Sequence, residues 1–201
     1  MTDGWIVREI PILSAAGSAW FDVVAEEYSA ARFPRPIEIL LRSGCSLTHD
    51  AGFYREAHAK VLIRNPIARS VLQGLEPALQ IWAYVQSVPE ERRAIVGIGR
   101  RDVSFDLGLP MPLPRFTPGD ERPIAAPYHW AVTKLMDQHA YLEIAPGGGI
   151  RVGDMLGFNI SHPCLTFDRW RTIPIIDAEY RVVDVVQTLF WRSRSAELAP
   201  P

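Results

Sequence analysis

The chain changes its residue pattern near position 75, and this change constrains the fold more than any other feature of the sequence. Before it, apolar strand segments at 6–13 and 37–41 alternate with helical patterns at 20–32 and at about 50–63. Small residues follow each strand, and parallel α/β units place their ligands at those carboxyl ends. Two such units cannot close a barrel, so if this part belongs to a barrel, most of that barrel is missing.

The second half of the chain has the pattern of an all-β domain. We therefore expect an α+β chain in which strand–helix units, residues 1–68, precede a mostly antiparallel β-domain, residues 69–192, and a flexible tail, residues 193–201. Prolines crowd residues 110–127, which predicts an ordered loop without regular structure. The predicted strands of the β-domain lie at 80–88, 94–99, 171–176 and 180–189.

The composition excludes several classes of partner. The 201-residue chain has a formal net charge of −2, so neither a nucleic acid nor an anionic membrane is expected to bind it. No apolar run has the length of a membrane span, and the amino terminus lacks the pattern of a signal peptide. The two cysteines, Cys45 and Cys164, are therefore expected to be reduced thiols in a cytoplasmic protein.

An imidazole and a thiol stand two residues apart at His162 and Cys164. Pro163 between them lacks an N–H, which predicts an extended strand end, and extended backbone would send both side chains to one side. The pair could then share a metal ion, and the sulfur favours zinc over magnesium or manganese. Two protein ligands would leave positions for water or substrate. A buried histidine beside a buried cysteine, without any metal, explains the same spacing.

Six short stretches give the chain a resemblance to a known family. They are Ser14-Ala-Ala-Gly-Ser18, Leu41-Arg-Ser-Gly44, Arg101-Asp-Val-Ser-Phe-Asp106, Asp137-Gln-His139, Gly153-Asp154 and Ser161-His-Pro-Cys164. No single stretch is specific, but the ordered set resembles the carboxy-terminal half of the D-serine dehydratase and D-threonine aldolase family. Members of that family are pyridoxal-phosphate (PLP) enzymes with an alanine-racemase-like barrel and an added β-domain. The resemblance therefore implies that residues 1–68 are the last strand–helix units of a (β/α)8 PLP barrel and that residues 69–192 are a D-serine dehydratase-like β-domain.

The resemblance implies two cofactors and a set of site residues. Zinc would be held by His162 and Cys164, because the dehydratase branch of the family uses this pair, whereas the aldolase branch has an aspartate as second ligand and a manganese-like metal. His139 could relay a proton or support the metal ligands, and an ordinary structural histidine is the alternative. The phosphate of pyridoxal 5'-phosphate would be bound by Gly17, Ser18, Ser43, Gly44 and Cys45.

Three other polar residues are expected to have structural roles. Asp102 and Asp106 are expected to cap the backbone or to pair with the neighbouring Arg100 and Arg101. Arg42 is expected to form a salt bridge at the rim of the barrel, because an arginine beside the pyridine nitrogen would oppose protonation of that nitrogen. These interpretations leave the metal site to His162 and Cys164 alone.

The reaction that the resemblance implies is an elimination from a D-amino acid with a β-hydroxyl group, which gives a 2-oxo acid and ammonia. Retro-aldol cleavage of the Cα–Cβ bond, as in D-threonine aldolase, is the alternative at the same site. The resemblance also implies a homodimer for the full-length form.

The lysine that forms the Schiff base in this family has no counterpart here. Lys60 and Lys134 are the only lysines, and both are expected to be solvated surface residues. The chain is therefore expected to be a truncated gene product or a fragment that lacks PLP chemistry of its own. The alternative of another class is a non-catalytic metal-binding or partner-binding remnant.

Overall fold

A computed structural model describes residues 9–15, 19–31, 33–44, 47–70 and 74–190. The chain divides into two compact units. The first, called the α/β unit, contains residues up to His49 and Tyr54–Glu76; the second, called the β-domain, contains Asp50–Phe53 and the residues from Pro77 on. The predicted boundaries after residues 68 and 192 stay predictions.

The α/β unit contains a two-stranded parallel sheet of β1 (Ile12–Ala15) and β2 (Glu38–Leu41). Its helices are α1 (Phe21–Ala30), α2 (Phe53–Arg64) and α3 (Pro66–Ser70). The strand–helix–strand–helix order and the parallel pairing agree with the sequence pattern. Because β1 and β2 are parallel neighbours, the segments that follow them begin at the same end of the sheet, where both strands have their carboxyl ends.

Side chains fix the helix ends and the helix contacts of this unit. Asn65 caps α3, because its Oδ1 accepts hydrogen bonds from the backbone N–H groups of Ile67 and Ala68 at 2.9 and 3.0 Å. Arg64 of α2 donates to both carboxylate oxygens of Asp22 of α1, at 2.8 and 2.6 Å. The hydrogen bond from Arg64 lowers the pKa of the Asp22 carboxyl below its usual value, although burial of the carboxyl opposes this.

The helix predicted at about 50–63 is α2, but Asp50, which could have served as its N-cap, lies before its start. Asp50 Oδ1 accepts a hydrogen bond from the N–H of Gly52 at 2.7 Å, and the helix begins at Phe53. This hydrogen bond forms an Asx-turn, in which an aspartate side chain accepts from the backbone N–H two residues later. Aspartate favours such turns, and they compete with helix formation.

The β-domain is built around a seven-stranded antiparallel sheet with the order β6-β5-β9-β3-β4-β8-β7. A short helix and a separate two-stranded ribbon follow its last strand. These elements are β3 (Gln80–Glu90), β4 (Arg93–Val96), β5 (Met111–Phe116), β6 (Ile124–Ala125), β7 (Ala131–Leu135), β8 (Ala140–Glu143), β9 (Met155–Asn159), α4 (Pro163–Phe167), β10 (Thr172–Ile176) and β11 (Val182–Gln187).

The core of the β-domain lies on one face of this sheet. Alternation on β3 turns Ile81, Ala83 and Val85 inward, as the two-residue period of a strand requires. Leu156 and Phe158 of β9 are fully buried with them. The predicted strands at 80–88, 171–176 and 180–189 are confirmed, and the mixed α+β class with them.

The prediction of irregular structure at 110–127 was wrong, because β5 and β6 lie there. Pro112 and Pro114 lower the β propensity of this stretch, and proline is excluded from regular ladder positions. The structure accommodates them through a shift of the β5–β9 register between Pro112 and Arg115. Among the described residues, none of the helices has the length and apolar character needed to cross a membrane.

Candidate functional site

The chain leaves β9 at Asn159 and reaches His162 through Ile160 and Ser161, which are both buried. His162 has extended backbone (φ −150°, ψ 100°), and Pro163 is the first residue of α4. Proline favours this first helical position, because its fixed φ suits the helix and its missing N–H has no helical partner to lose. Cys164 therefore lies in the first turn of a helix.

The prediction that His162 and Cys164 share an extended strand end was wrong for this reason. Pro163 starts a helix here and does not end a strand. His162 and Cys164 remain two residues apart in sequence, and Cys164 is an exposed, free thiol.

A loop formed by residues 99–110, called the 99–110 loop, packs along residues 160–170, called the 160–170 segment. Residues 102, 104, 106 and 108 of the loop contact the segment in reverse order, three of them through backbone atoms. The four contacts are Asp102 O with Trp170 Nε1 (2.7 Å), Ser104 N with Thr166 Oγ1 (3.1 Å), Asp106 Oδ2 with His162 Nδ1 (2.7 Å) and Gly108 O with Ser161 Oγ (2.7 Å).

Two of these contacts are buried and hold the start of α4 in place. Thr166 Oγ1 accepts the hydrogen bond of the Ser104 N–H, and its own hydroxyl lies within reach of Ser104 Oγ (3.1 Å) and of the His162 carbonyl (3.2 Å). The hydroxyl of Ser161 donates to the carbonyl of Gly108. Gly108 has φ +133°, a backbone region that residues with a Cβ rarely adopt. The loop and the segment thus form one rigid frame around His162.

His162 Nδ1 lies 2.7 Å from Asp106 Oδ2 within this frame. The carboxylate accepts the Nδ1–H, and among the described residues no hydrogen bond engages Nε2. This is the arrangement in which a metal-binding histidine is usually held, because the carboxylate fixes the tautomer and leaves the other nitrogen as a ligand.

Asp106 was missed as a site residue, since it was expected to cap the backbone or to pair with Arg100 or Arg101. The structure places Arg100 over the ring of Phe105, at 5.3 Å from the ring centroid. Asp102 does cap the backbone as expected, because its Oδ2 accepts the N–H of Gly99 at 2.8 Å.

Asp137-Gln138-His139 forms the turn between β7 and β8 and supports the 99–110 loop. The N–H of Arg101 donates to the Asp137 carbonyl at 3.1 Å, and a Cβ on Gly99 would overlap that carbonyl. The His139 ring stacks at a tilt on Tyr141, with 5.5 Å between the ring centroids. The relay role of His139 stays a prediction.

Gly153-Asp154, another of the six stretches, closes the turn before β9. Asp154 is buried, and its Oδ2 accepts the N–H of Arg151 at 2.9 Å. Gly153 has φ +93°, which explains a glycine at this position. This stretch therefore positions β9, which leads into the 160–170 segment.

The predicted phosphate-binding residues are only partly described. Gly17, Ser18 and Cys45 lie outside the described residues. Ser43 is half-buried, and the N–H of Gly44 already donates to the carbonyl of Arg42 at 3.0 Å. The N–H of Gly44 is therefore not available to a phosphate in this conformation, and the phosphate site stays a prediction.

Arg42 does not form the expected salt bridge in the described structure. Its Nε donates to Ser14 Oγ at 2.8 Å, and Ser14 in turn donates to the carbonyl of Leu40 at 3.1 Å. Arg42 therefore links the ends of β1 and β2 through a hydroxyl group and not through a carboxylate.

Among the described residues, no three or more His, Cys, Asp or Glu side chains group so as to hold a metal ion. The metal site at His162 and Cys164 stays a prediction. Two protein donors, an imidazole nitrogen and a soft sulfur, would leave the other positions of a zinc ion to water or substrate.

The β-domain presents a histidine that is hydrogen-bonded to a carboxylate and is followed two residues later by a free cysteine. Residues 78–176 match the family described as "Putative serine dehydratase domain". The β-domain thus belongs to the D-serine dehydratase-like family, as the six stretches predicted. No curated protein matches the chain.

Three solved structures are similar to this chain. The D-threonine aldolase from Filomicrobium marinum has 18% identity and a TM-score of 0.54, over 74% of this chain and 34% of that one. An alanine racemase-like protein from Idiomarina loihiensis has 13% identity and a TM-score of 0.49, over 77% and 39%. The D-threo-3-hydroxyaspartate dehydratase from Delftia sp. HT23 has 16% identity and a TM-score of 0.44, over 77% and 40%.

The first of these similarities supports the fold, a partial barrel followed by a β-domain. The chain spans about a third of the length of that aldolase, since it covers 34% of it.

Proposed function

We propose that this chain carries the zinc-binding part of a PLP-dependent lyase that acts on D-amino acids with a β-hydroxyl group, in the manner of a D-serine dehydratase. The product would be a 2-oxo acid, with release of ammonia. The observation that carries the proposal is the hydrogen bond of 2.7 Å between His162 Nδ1 and Asp106, which leaves Nε2 as a ligand two residues before a free cysteine.

The residue at position 164 supports zinc and the dehydratase type. A thiolate is a soft ligand, which zinc accepts readily and which magnesium and manganese accept poorly. Zinc bound here would supply a Lewis acid that polarises the β-hydroxyl oxygen of a substrate. Cleavage of the aldolase type remains a different outcome at the same site, and product analysis of the complete enzyme would distinguish the two.

The chain's own residues would orient and hold these ligands. Asp106 accepts the Nδ1–H of His162 and fixes the orientation of the imidazole, while Ser104 and Thr166 keep the first turn of α4 in register with the loop. The exposed thiol of Cys164 is accessible to the metal and to a substrate that completes the shell.

PLP, when it is bound, supplies the electron sink for removal of the α-proton. The family supports PLP as cofactor of the complete enzyme. Both lysines of this chain are exposed, and Nζ of Lys134 on β7 lies 5.8 Å from the ring centroid of Tyr141 on β8. We therefore propose that the chain alone binds zinc and does not carry out the PLP reaction.

A non-catalytic metal-binding or partner-binding domain is the second candidate, and the exposed positions of both lysines favour it. A homodimer and a cytoplasmic location belong to the proposal as expectations.

Metal content tests the zinc part of the proposal. Purified chain dialysed against zinc is expected to retain about one equivalent, whereas Cys164→Ala and His162→Ala should retain much less. Cys45→Ala is the matched control and should retain as much zinc as the unchanged chain. Equal zinc in Cys164→Ala and in the unchanged chain would place the metal elsewhere.

Addition of PLP tests the second part. We expect no absorbance band that borohydride reduces, because neither lysine lies in the described site. A reducible band that disappears in Lys60→Ala or Lys134→Ala would contradict this and would identify the lysine.

A further inference from the structure

We infer that Asp106 is a positioning residue for His162: its carboxylate fixes the imidazole in the tautomer with the proton on Nδ1 and directs the Nε2 lone pair to a metal. The metal part of this inference rests on the proposed function. The tautomer part rests on the geometry of the chain alone.

The contact is not a chance pairing of two mobile surface groups. His162 is flanked by Ser161, whose hydroxyl donates to Gly108 O, and Asp106 lies two residues before that same glycine. Two hydrogen bonds of 2.7 Å thus join residues 106 and 108 to residues 162 and 161. The hydrogen bond between Ser161 and Gly108 therefore fixes the backbone close to both His162 and Asp106.

The degree of exposure separates a positioning role from a stabilising one. The side chains of His162 and Asp106 are 24% and 39% exposed, and ion pairs at such positions contribute little to folding stability. The carboxylate is therefore expected to affect how the imidazole binds a ligand far more than how the chain folds.

Asp106 acts through His162 and not as a third metal ligand. One oxygen of the carboxylate already accepts the Nδ1–H at 2.7 Å, so the carboxylate engages the imidazole ring. A carboxylate in this position commonly changes metal affinity by about tenfold to a hundredfold.

The first test measures zinc affinity by competition with a chelator. Asp106→Ala is expected to bind zinc about tenfold to a hundredfold more weakly, and Asp106→Asn, which keeps an acceptor oxygen but no charge, should lose less than about tenfold. Asp168→Asn removes the same charge from an exposed position at the end of α4 and should stay within about twofold. Affinity within about twofold for Asp106→Ala would overturn the metal part.

The second test needs no metal. Nitrogen-15 spectra of histidine-labelled, metal-free chain, recorded above the imidazole pKa of about 6.5, report which ring nitrogen carries the proton. His162 is assigned by its absence from the spectrum of His162→Gln. We expect an Nδ1–H tautomer in the unchanged chain and in Asp106→Asn, and a mixture of both tautomers in Asp106→Ala.

The two tests separate the inference from the proposed function. A chain that binds no zinc but shows the Nδ1–H tautomer, lost in Asp106→Ala, refutes the zinc proposal and retains Asp106 as the residue that orients His162. A chain that binds zinc but has the same tautomer mixture with and without the carboxylate refutes the inference. Thermal unfolding of each variant shows whether it folds, and Asp106→Asn keeps both tests decisive if Asp106→Ala does not.

Discussion

The β-domain and the α/β unit differ in how far they bury their apolar side chains. The β-domain buries a continuous core on one face of its seven-stranded sheet, where Leu142, Leu156 and Phe158 are fully covered. The α/β unit has two strands, and Ile39, Leu40 and Leu41 of β2 are all exposed. Burial of apolar surface stabilises the seven-stranded sheet of the β-domain. The two-stranded sheet of the α/β unit leaves its apolar side chains exposed, so burial contributes little to its stability.

The largest expected effect compares one leucine from each region. Leu142 is 0% exposed and Leu40 is 49% exposed. Leu142→Ala should lower the free energy of unfolding by about 2–5 kcal/mol, because it leaves a cavity in the core. Leu40→Ala should cost about 1 kcal/mol or less. Denaturant unfolding of both variants measures the difference, and equal losses would contradict the contrast between the regions.

The second effect concerns the ion pair between Asp22 and Arg64, which holds α1 to α2 in the α/β unit. The Asp22 side chain is 6% exposed, so Asp22→Asn should cost about 1–3 kcal/mol. Because the pKa of Asp22 is lowered in the folded state, its contribution is complete above the ordinary value of 3.8 and is lost as the pH falls below it.

This acid sensitivity sharpens the comparison, since it should be confined to the α/β unit. Residue-resolved hydrogen exchange at neutral and acidic pH measures it. Amides of α1 and α2 should lose protection on acidification in the unchanged chain and should show a smaller pH dependence in Asp22→Asn. Loss of protection in the β-domain at the same pH would contradict this account.

The smallest effect compares two serine hydroxyls. Ser161 is buried and donates to Gly108 O at 2.7 Å, whereas Ser14 donates to Leu40 O at 3.1 Å in an exposed position. Ser161→Ala should cost about 1–2 kcal/mol, and Ser14→Ala less than about 0.5 kcal/mol, because water replaces only the second bond. Thermal unfolding of the two variants, with the unchanged chain as reference, tests the order.

Much of the fold could be predicted, because strands with a two-residue period and helices with a 3.6-residue period leave local patterns. The β3 strand and the β10–β11 ribbon follow from such patterns. β5 was missed because its prolines resemble a loop, and only its partner β9 shows how a register shift accommodates them. Local propensity contains no information about such a partner.

The site could be predicted only where its residues are neighbours in sequence. His162 and Cys164 stand out by their spacing, but the same Pro163 that suggested a strand end starts a helix. Asp106 lies 56 residues before His162, so no local pattern could pair them. The contact depends on how the 99–110 loop packs along the 160–170 segment, and the sequence near either residue carries no signal of that packing.

The central claim is that the 99–110 loop and the 160–170 segment together present His162 and Cys164 to one zinc ion. X-ray absorption at the zinc edge of the loaded chain tests it most directly. We predict a first shell with one sulfur at about 2.3 Å and nitrogen or oxygen at about 2.0–2.2 Å, with the sulfur lost in Cys164→Ala. A shell of nitrogen and oxygen alone, the same in both proteins, would contradict the account.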